Sequence, residues 1–357
     1  MKKHAINFSP GPSQLYFTVE DHMKDAFKAQ LPSLSHRSPA FEQLYRHTQD
    51  CLRELLSVPA SHSIYFTASA TEIWERIIQN LVDERSAHFV HGAFSEKFYQ
   101  AALQLNKRPH LIKVNDGEGF DEAPRLDVEL IGITHNETST GVALPLPFIY
   151  AVKEKNPDAL LAIDAVSSIP FVDFDFQKID SVYFSVQKGF GLPPGLGVWI
   201  VNEQCMAKAE QLLAEGKSIG THHSLVSFQR HGKKNQTPET PNTLAIYLLG
   251  KVAEDMLRRG IQQIRKETQY KAAILYQALD NHGQCRPFVG RQHFRSSTVV
   301  VAESGNNTAR LHDKLLKQGL LAGEGYGKSK NTQLRFANFP AHSKEDYELL
   351  VDYLAAF

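Results

Sequence analysis

The sequence predicts an α/β fold in two lobes, and three observations carry that reading. Six short apolar runs read as strands, helix-like segments lie between several of them, and the texture of the chain changes near Thr243. Apolar runs without polar alternation mark strands buried on both faces. Strands spaced by helical crossovers imply a mainly parallel sheet covered on both sides.

Taken in order, the strands are "SIYFT" (63–67), "AHFVHG" (87–92), "VELIGIT" (128–134), "LLAIDAV" (160–166), "SVYFSV" (181–186) and "GVWIV" (197–201). "TEIWERIIQNLVD", "SEKFYQAALQL" and "PLPFIYAVKEKN" are the helical segments between them. Beyond Thr243 one long helical stretch through Leu279 is followed by "STVVVAE", a helix near 308–318, "TQLRFAN" and a last helix from Ser343. The expected organisation is a large lobe over 16–250, a small α+β lobe over 251–357, and a segment 1–15 that packs on the small lobe or on a partner.

Composition narrows the function classes. With 357 residues and 42% hydrophobic content the chain can bury a large core and a second smaller one. Its 39 basic and 39 acidic residues cancel, which excludes a broad nucleic-acid or anionic-membrane surface, so phosphate recognition has to be local. Cys51, Cys205 and Cys285 are far apart and form no CxxC, arguing against a disulfide framework or structural zinc and for a reducing cytoplasm. The start "MKKHAINFSPGPSQL" has two lysines without an apolar run behind them, and no later run reaches membrane-spanning length; the expectation is a soluble, unexported protein. Sixteen histidines include no metal-ligand spacing, so no metal is expected.

In open parallel sheets ligands collect outside the carboxyl ends of the strands. Lys188 follows "VYFSV" and precedes the Gly/Pro loop "GFGLPPGLG"; it is either a solvated loop charge or a buried amine whose lost hydration lowers its pKa toward carbonyl chemistry. Asp164 ends "LLAI", either capping the next turn or pairing with a protonated ring nitrogen. In "TASATEIWERII" (67–78) a strand turns into a helix whose free N–H groups suit a phosphate, although Thr71 also reads as a helix cap and Glu72 as an ordinary first-turn acid. Phe94 in "HGAFSEKFY" is a core residue or, if a pyridine ring is present, a stacking partner. A condensing lysine and a strand-end aspartate together suit pyridoxal phosphate chemistry.

Seven motifs, in this order and spacing, carry a family resemblance: "NFSPGP" (7–12), "SHRSPAF" (35–41), "THNETSTG" (134–141), "AIDAVSS" (162–168), "SVQKGFGLPPGLG" (185–197), "TPNTLAIYLLG" (240–250) and "LRFAN" (334–338). The chain resembles the class V aminotransferases of pyridoxal phosphate fold type I, and within them the phosphoserine aminotransferases. The resemblance implies a mostly parallel seven-stranded sheet between helices in a large, cofactor-binding domain. It also implies a ping-pong transamination through a Lys188 aldimine, with phosphoserine and 2-oxoglutarate as substrates.

Residue by residue, the resemblance has Lys188 shuttle the proton and Asp164 hold the ring nitrogen protonated. Phe94 stacks on the ring, Thr138 bonds the 3′-oxygen, and Ala70, Thr71 and Gln187 hold the phosphate with Thr240 from a neighbouring subunit. A homodimer with shared active sites follows from that last contact. Arg335 takes the substrate α-carboxylate, while His36 and Arg37 lie near its far end.

Departures from the pattern bear on substrate. Ala68 and Ala70 replace glycines of the phosphate turn, and Glu239 stands where such enzymes carry Asn before Thr240, an anion that would repel a phosphate unless it turns away. The small-lobe His-Arg pair that grips substrate phosphate is missing from "AGEGYGKSKNTQLRF" (322–336), leaving Lys328 or Lys330 as replacements. "SHRSPAF" also resembles alanine- or serine–glyoxylate aminotransferases, the alternative reading; a cysteine desulfurase would need Cys285 as nucleophile. "AGEGYGKS" nearly matches a nucleotide phosphate loop, but Ala322 replaces its first glycine and "LHDKLLKQGLL" before it reads as helix, not strand. "SIGTHHSLVSF" (218–228) is either a surface loop or a segment next to a partner's site.

Overall fold

A computed structural model describes residues 5–356. Its strands are β1 (Ile6–Phe8), β2 (His62–Thr67), β3 (Arg85–Val90), β4 (Arg108–Lys113), β5 (Leu130–Thr134), β6 (Asn136–Glu137), β7 (Val142–Ala143), β8 (Leu160–Asp164), β9 (Ser181–Ser185), β10 (Gly197–Asn202), β11 (Arg286–Pro287), β12 (Val299–Glu303), β13 (Leu320–Glu324) and β14 (Gln333–Ala337). Its α-helices are α1 (Val19–Lys28), α2 (Pro39–Leu56), α3 (Ala70–Leu81), α4 (Ala93–Gln104), α5 (Leu146–Lys155), α6 (Glu203–Ala214), α7 (Leu225–Gly232), α8 (Thr243–Arg259), α9 (Ile261–Asp280), α10 (Thr308–Lys317) and α11 (Lys344–Ala355). None of them is long and apolar enough to cross a membrane.

Seven strands form the main sheet in the order β2-β10-β9-β8-β5-β3-β4. The pairs β9/β8, β8/β5, β5/β3 and β3/β4 are parallel, and β10 runs antiparallel to both β9 and β2. The mostly parallel seven-stranded sheet is therefore present. β5, β8 and β9 are buried at every residue, as strands covered on both faces must be. A second sheet, β1-β13-β14-β12-β11, is antiparallel except where β1 lies parallel to β13. After β1 the chain crosses to the main sheet, where Ser13 N–H donates to Gln187 O (3.1 Å) and Tyr16 N–H to Gly191 O (2.8 Å).

Three differences from the sequence reading have local causes. β4, "RPHLIK", is an edge strand with four of its six residues exposed, so no apolar run announces it. The stretch read as helix before "AGEGYGKS" is helix only to Lys317; Gly319 N–H closes the turn on Leu316 O (2.9 Å), and Leu320 and Leu321 open β13. A strand does precede that loop, yet only a single 3₁₀ turn at Gly327–Ser329 follows, and no helix N-terminus faces a phosphate there. The long helix after Thr243 breaks at Gly260, whose φ of +87° suits glycine far better than a side chain. Residue 250, the expected edge between lobes, lies inside α8, which packs along α2.

Asp180 joins the elements behind the sheet. Buried at 3% exposure, its carboxylate accepts from Leu161 N–H (2.7 Å), Asn202 Nδ2 (2.7 Å) and Lys153 Nζ (2.8 Å). Asp180→Ala leaves the Leu161 amide without its acceptor and the Lys153 ammonium without its counter-ion, with only backbone carbonyls such as Ala159 O (2.9 Å) to receive it, and is expected to lower the unfolding free energy by roughly 3 kcal/mol in urea denaturation. A loss well under ~1 kcal/mol would show that the network contributes little.

Candidate active site

The carboxyl ends of β5, β8 and β9 open on one cavity of about 180 Å³. Ala70, Thr71, Phe94, Thr138, Asp164, Gln187, Lys188 and Arg335 all line it, so eight residues singled out in the sequence converge. Pro10, Gly11 and Pro12 close one side, and Gly11 passes so near that a Cβ there would stand 2.8 Å from Lys188 Cε.

Lys188 is 6% exposed, which excludes the solvated-loop reading. Its Nζ donates to Thr138 Oγ1 (2.7 Å) and lies 5.2 Å from the Phe94 ring centre. Burial pulls the ammonium down to about 8, against the opposing pull of Asp164 and Glu137. Asp164 is 3% exposed; burial pushes its carboxyl up to about 6, partly offset by the Val166 amide, Lys188 and Trp74. Its Oδ1 accepts from Val166 N–H (3.0 Å), the local turn bond foreseen as the plain reading, while Oδ2 accepts from Trp74 Nε1 (3.2 Å). Neither residue makes an ion pair among the described residues, so the cavity separates two buried opposite charges.

The turn into α3 is capped by Ser69, not Thr71: Ser69 is the N-cap and its hydroxyl accepts from Glu72 N–H (3.2 Å). Ala70 N–H donates to Ser185 Oγ (2.7 Å), and the Thr71 amide belongs to the helix's first turn, where no intrahelical acceptor exists. Glu72 is more than a first-turn acid, accepting from Ala68 N–H (3.0 Å) and pairing with His223. Arg335 Nε donates to Glu324 O (2.7 Å) and Nη1 to Thr138 O (3.3 Å), holding a guanidinium in the cavity wall with no carboxylate partner among the described residues.

Three predicted site residues lie elsewhere on the chain. Thr240 is exposed, and neither it nor His36 nor Arg37 lines the cavity that holds Lys188. Arg37 Nη1 donates to Thr237 O (2.7 Å) and Gln236 Oε1 (2.9 Å), which fixes the Arg37 loop against the segment that carries Thr240. Glu239 does turn aside, to His223 Nε2 at 2.8 Å. Lys328 pairs with Asp116 (2.8 Å) and Lys330 with Glu324 (3.3 Å), and neither lines the cavity. Cys285 is packed in the small-lobe core beside Leu275 and Leu279, and burial pushes its thiol up to about 11, which removes it as a mobile nucleophile.

Sequence reasoning missed several contributors. Glu137, fully buried, accepts from the amides of Phe94 (3.1 Å) and Ser95 (2.9 Å) and from the hydroxyls of Ser95 (2.9 Å) and Ser139 (2.7 Å), clamping the start of α4 to the Thr138 loop. Tyr326 lines the cavity against Phe94, with centroids 5.1 Å apart, and its hydroxyl accepts from Lys97 Nζ (2.7 Å). Trp74 had a signal, lying one helical turn beyond Ala70 on the same face; Tyr326 had none.

The donor set fits pyridoxal phosphate. A buried amine suits its aldehyde, a buried carboxylate its ring nitrogen, and helix-start amides its phosphate. Thr134 Oγ1, buried in the cavity wall on the residue paired in register with Asp164, has no hydrogen-bond partner among the described residues, a polar atom that such a group would meet.

Comparison with known proteins agrees with this geometry. The aminotransferase class-V family model matches residues 5–327. A putative phosphoserine aminotransferase of Mycobacterium leprae is 30% identical over 99% of this chain and 94% of its own length. The crystal structure of a phosphoserine aminotransferase from Cytophaga hutchinsonii superposes with a TM-score of 0.96 at 46% identity, covering 99% of this chain and 98% of that one. An alanine–glyoxylate aminotransferase from Nostoc sp. shares the fold, with a TM-score of 0.80 at 20% identity over 100% of this chain and 96% of its own. The chain belongs to the class V aminotransferases, enzymes that move an amino group between amino acids and 2-oxo acids with pyridoxal phosphate as cofactor.

Proposed function

We propose that this aminotransferase acts on phosphoserine and 2-oxoglutarate. The observation that carries the catalytic reading is the pair Lys188 and Asp164, buried on one cavity without neutralising each other. The substrate reading is supported most by the full-length similarity to the phosphoserine aminotransferase of Cytophaga hutchinsonii.

When bound, pyridoxal phosphate supplies an aldehyde for amines and a ring that takes up the electron pair of a substrate Cα–H bond. Lys188 Nζ accepts the Cα proton and returns it, which an amine with a pKa of about 8 does at neutral pH more readily than an ordinary lysine. Asp164 holds a proton on the ring nitrogen across the cavity. Arg335 orients the substrate α-carboxylate with its two-pronged guanidinium, and Thr138 holds Nζ in place between proton transfers. Tyr326 and Pro10–Pro12 exclude water from the same space.

His36, Arg37 and Thr240 serve a second copy of the chain in a homodimer. Arg37 is fixed to the segment that leads into Thr240, and none of the three lines the cavity of its own Lys188, an arrangement that suits another subunit's cavity facing them. A reducing, cytoplasmic setting suits three free, buried thiols. One observation favours the alternative, an alanine- or serine–glyoxylate aminotransferase: Lys328 and Lys330 are both occupied by carboxylates, leaving the small lobe without a free lysine pair for a substrate phosphate.

Half-reaction spectroscopy separates the two. Phosphoserine is expected to bleach the visible absorbance of the bound cofactor and alanine to leave it; the reverse pattern moves the assignment to the alternative. In Lys188→Ala, borohydride should fix no cofactor to the chain, whereas in wild type the label should map to Lys188. Shared sites make a further prediction: mixing inactive Lys188→Ala with inactive Arg37→Ala chains after mild dissociation restores about a quarter of wild-type activity, because each mixed dimer holds one intact site. No recovery in a demonstrated mixed dimer would place Arg37 in its own chain's site.

A further inference from the structure

We infer that His223 is a positioning residue for the cofactor phosphate, an imidazolium shared by Glu72 and Glu239 that locks the phosphate turn to the Thr240 segment and cancels carboxylate charge where a phosphate must sit. The inference rests on the reading of Ala70, Thr71 and Thr240 as phosphate holders.

The geometry is specific. His223 lies in the turn before α7, with its ring stacked on Phe228 at 5.2 Å and 26°. Its Nδ1 meets Glu72, the residue after Thr71, and its Nε2 stands 2.8 Å from Glu239, the residue before Thr240. Among the described residues neither carboxylate has another ion-pair partner. Glu72 also shapes the turn itself, since its Oε2 accepts the Ala68 amide. One ring therefore connects the turn offered to this chain's phosphate with the segment offered to the neighbour's.

The charge balance explains why Glu239 is tolerated. Two carboxylates beside a phosphate would repel it, and the other charged groups facing them are otherwise engaged. Arg76, the next cation along α3, is paired with Glu75 (3.3 Å), and Arg37 donates to Gln236 and to backbone carbonyls. His36 and His231 also sense Glu239, but burial and Arg37 lower both. Arg76 acts on Glu72 only at a distance, and His223 is the cation in direct contact with both carboxylates. Its contacts with Glu239 first and Glu72 second push it up to about 9, so it carries its proton through the neutral range. The sign follows from a raised pKa: the clamp is complete below the ordinary histidine value near 6.5 and is lost as pH rises through about 9.

The test is the pyridoxal phosphate dissociation constant by equilibrium dialysis, for wild type, His223→Gln and His223→Gln/Glu239→Gln, between about pH 7 and pH 10. The ratio of single variant to wild type is expected to be ~10 at pH 7 and to approach one at the top of the range, with titration of Lys188 cancelling in the ratio. Removing Glu239 as well should bring affinity back to within ~3-fold of wild type, because the uncompensated charge has gone. A ratio of one at pH 7, or a double variant as weak as the single, overturns the role of His223. Thr71→Pro, which removes both the hydroxyl and the first-turn amide N–H, reports separately on the turn: if it binds the cofactor as tightly as wild type, the phosphate-holder reading falls, and if it is weakened while the His223 ratio is one, only the present inference falls.

Discussion

Two opposite charges are buried on one cavity and kept from neutralising each other, and the rest of the site is arranged around that constraint. Holding Asp164 ionised against a pKa of about 6 costs on the order of 3 kcal/mol relative to an ordinary aspartate. The sheet supplies what offsets it. β8 and β9 fix the two residues one after the other along neighbouring strand ends, Trp74 and the Val166 amide donate to the carboxylate, and Thr138 receives the amine. A direct ion pair would lower the energy of the empty site and leave both groups less able to act on a ligand.

The same logic extends outward through Glu137, a buried acid that never meets the cavity directly. By accepting from amides at the start of α4 and from the hydroxyl next to Thr138, it ties the aromatic face at Phe94 to the loop that holds Lys188. On the far side of the turn into α3, His223 meets two carboxylates, Glu72 and Glu239, with the opposite sign. The substitution of Glu239 for asparagine, a liability when viewed alone, is matched by a cation seated against it.

Much of this was legible in the sequence because strand ends of a parallel sheet announce where chemistry collects. Lys188 and Asp164 stand out as charges at the end of apolar runs, and the convergence of Ala70, Thr71, Phe94, Thr138, Gln187 and Arg335 follows once the strand order is known. Glu137 was quoted within a motif but its role was hidden, since two of its donor residues, Phe94 and Ser95, lie more than forty positions away. Tyr326 is fixed by Lys97, 229 positions distant, and nothing local marks it. β4 lacks an apolar face, and the break between α8 and α9 turns on one glycine inside helix-forming sequence. Thr240, His36 and Arg37 mark a different limit: they do not line the cavity of their own chain, and one chain shows only that Arg37 is fixed to the segment before Thr240.

The account stands or falls on the state of one amine. Titrating Lys188 in the cofactor-free protein, by the pH dependence of its reaction with an amine-selective reagent, should give a midpoint near 8, and Asp164→Asn should move that midpoint lower because the carboxylate's support for the ammonium is gone. A midpoint in the ordinary lysine range near 10.4, unmoved by the substitution at Asp164, would contradict the claim that these two charges face one another across a buried cavity.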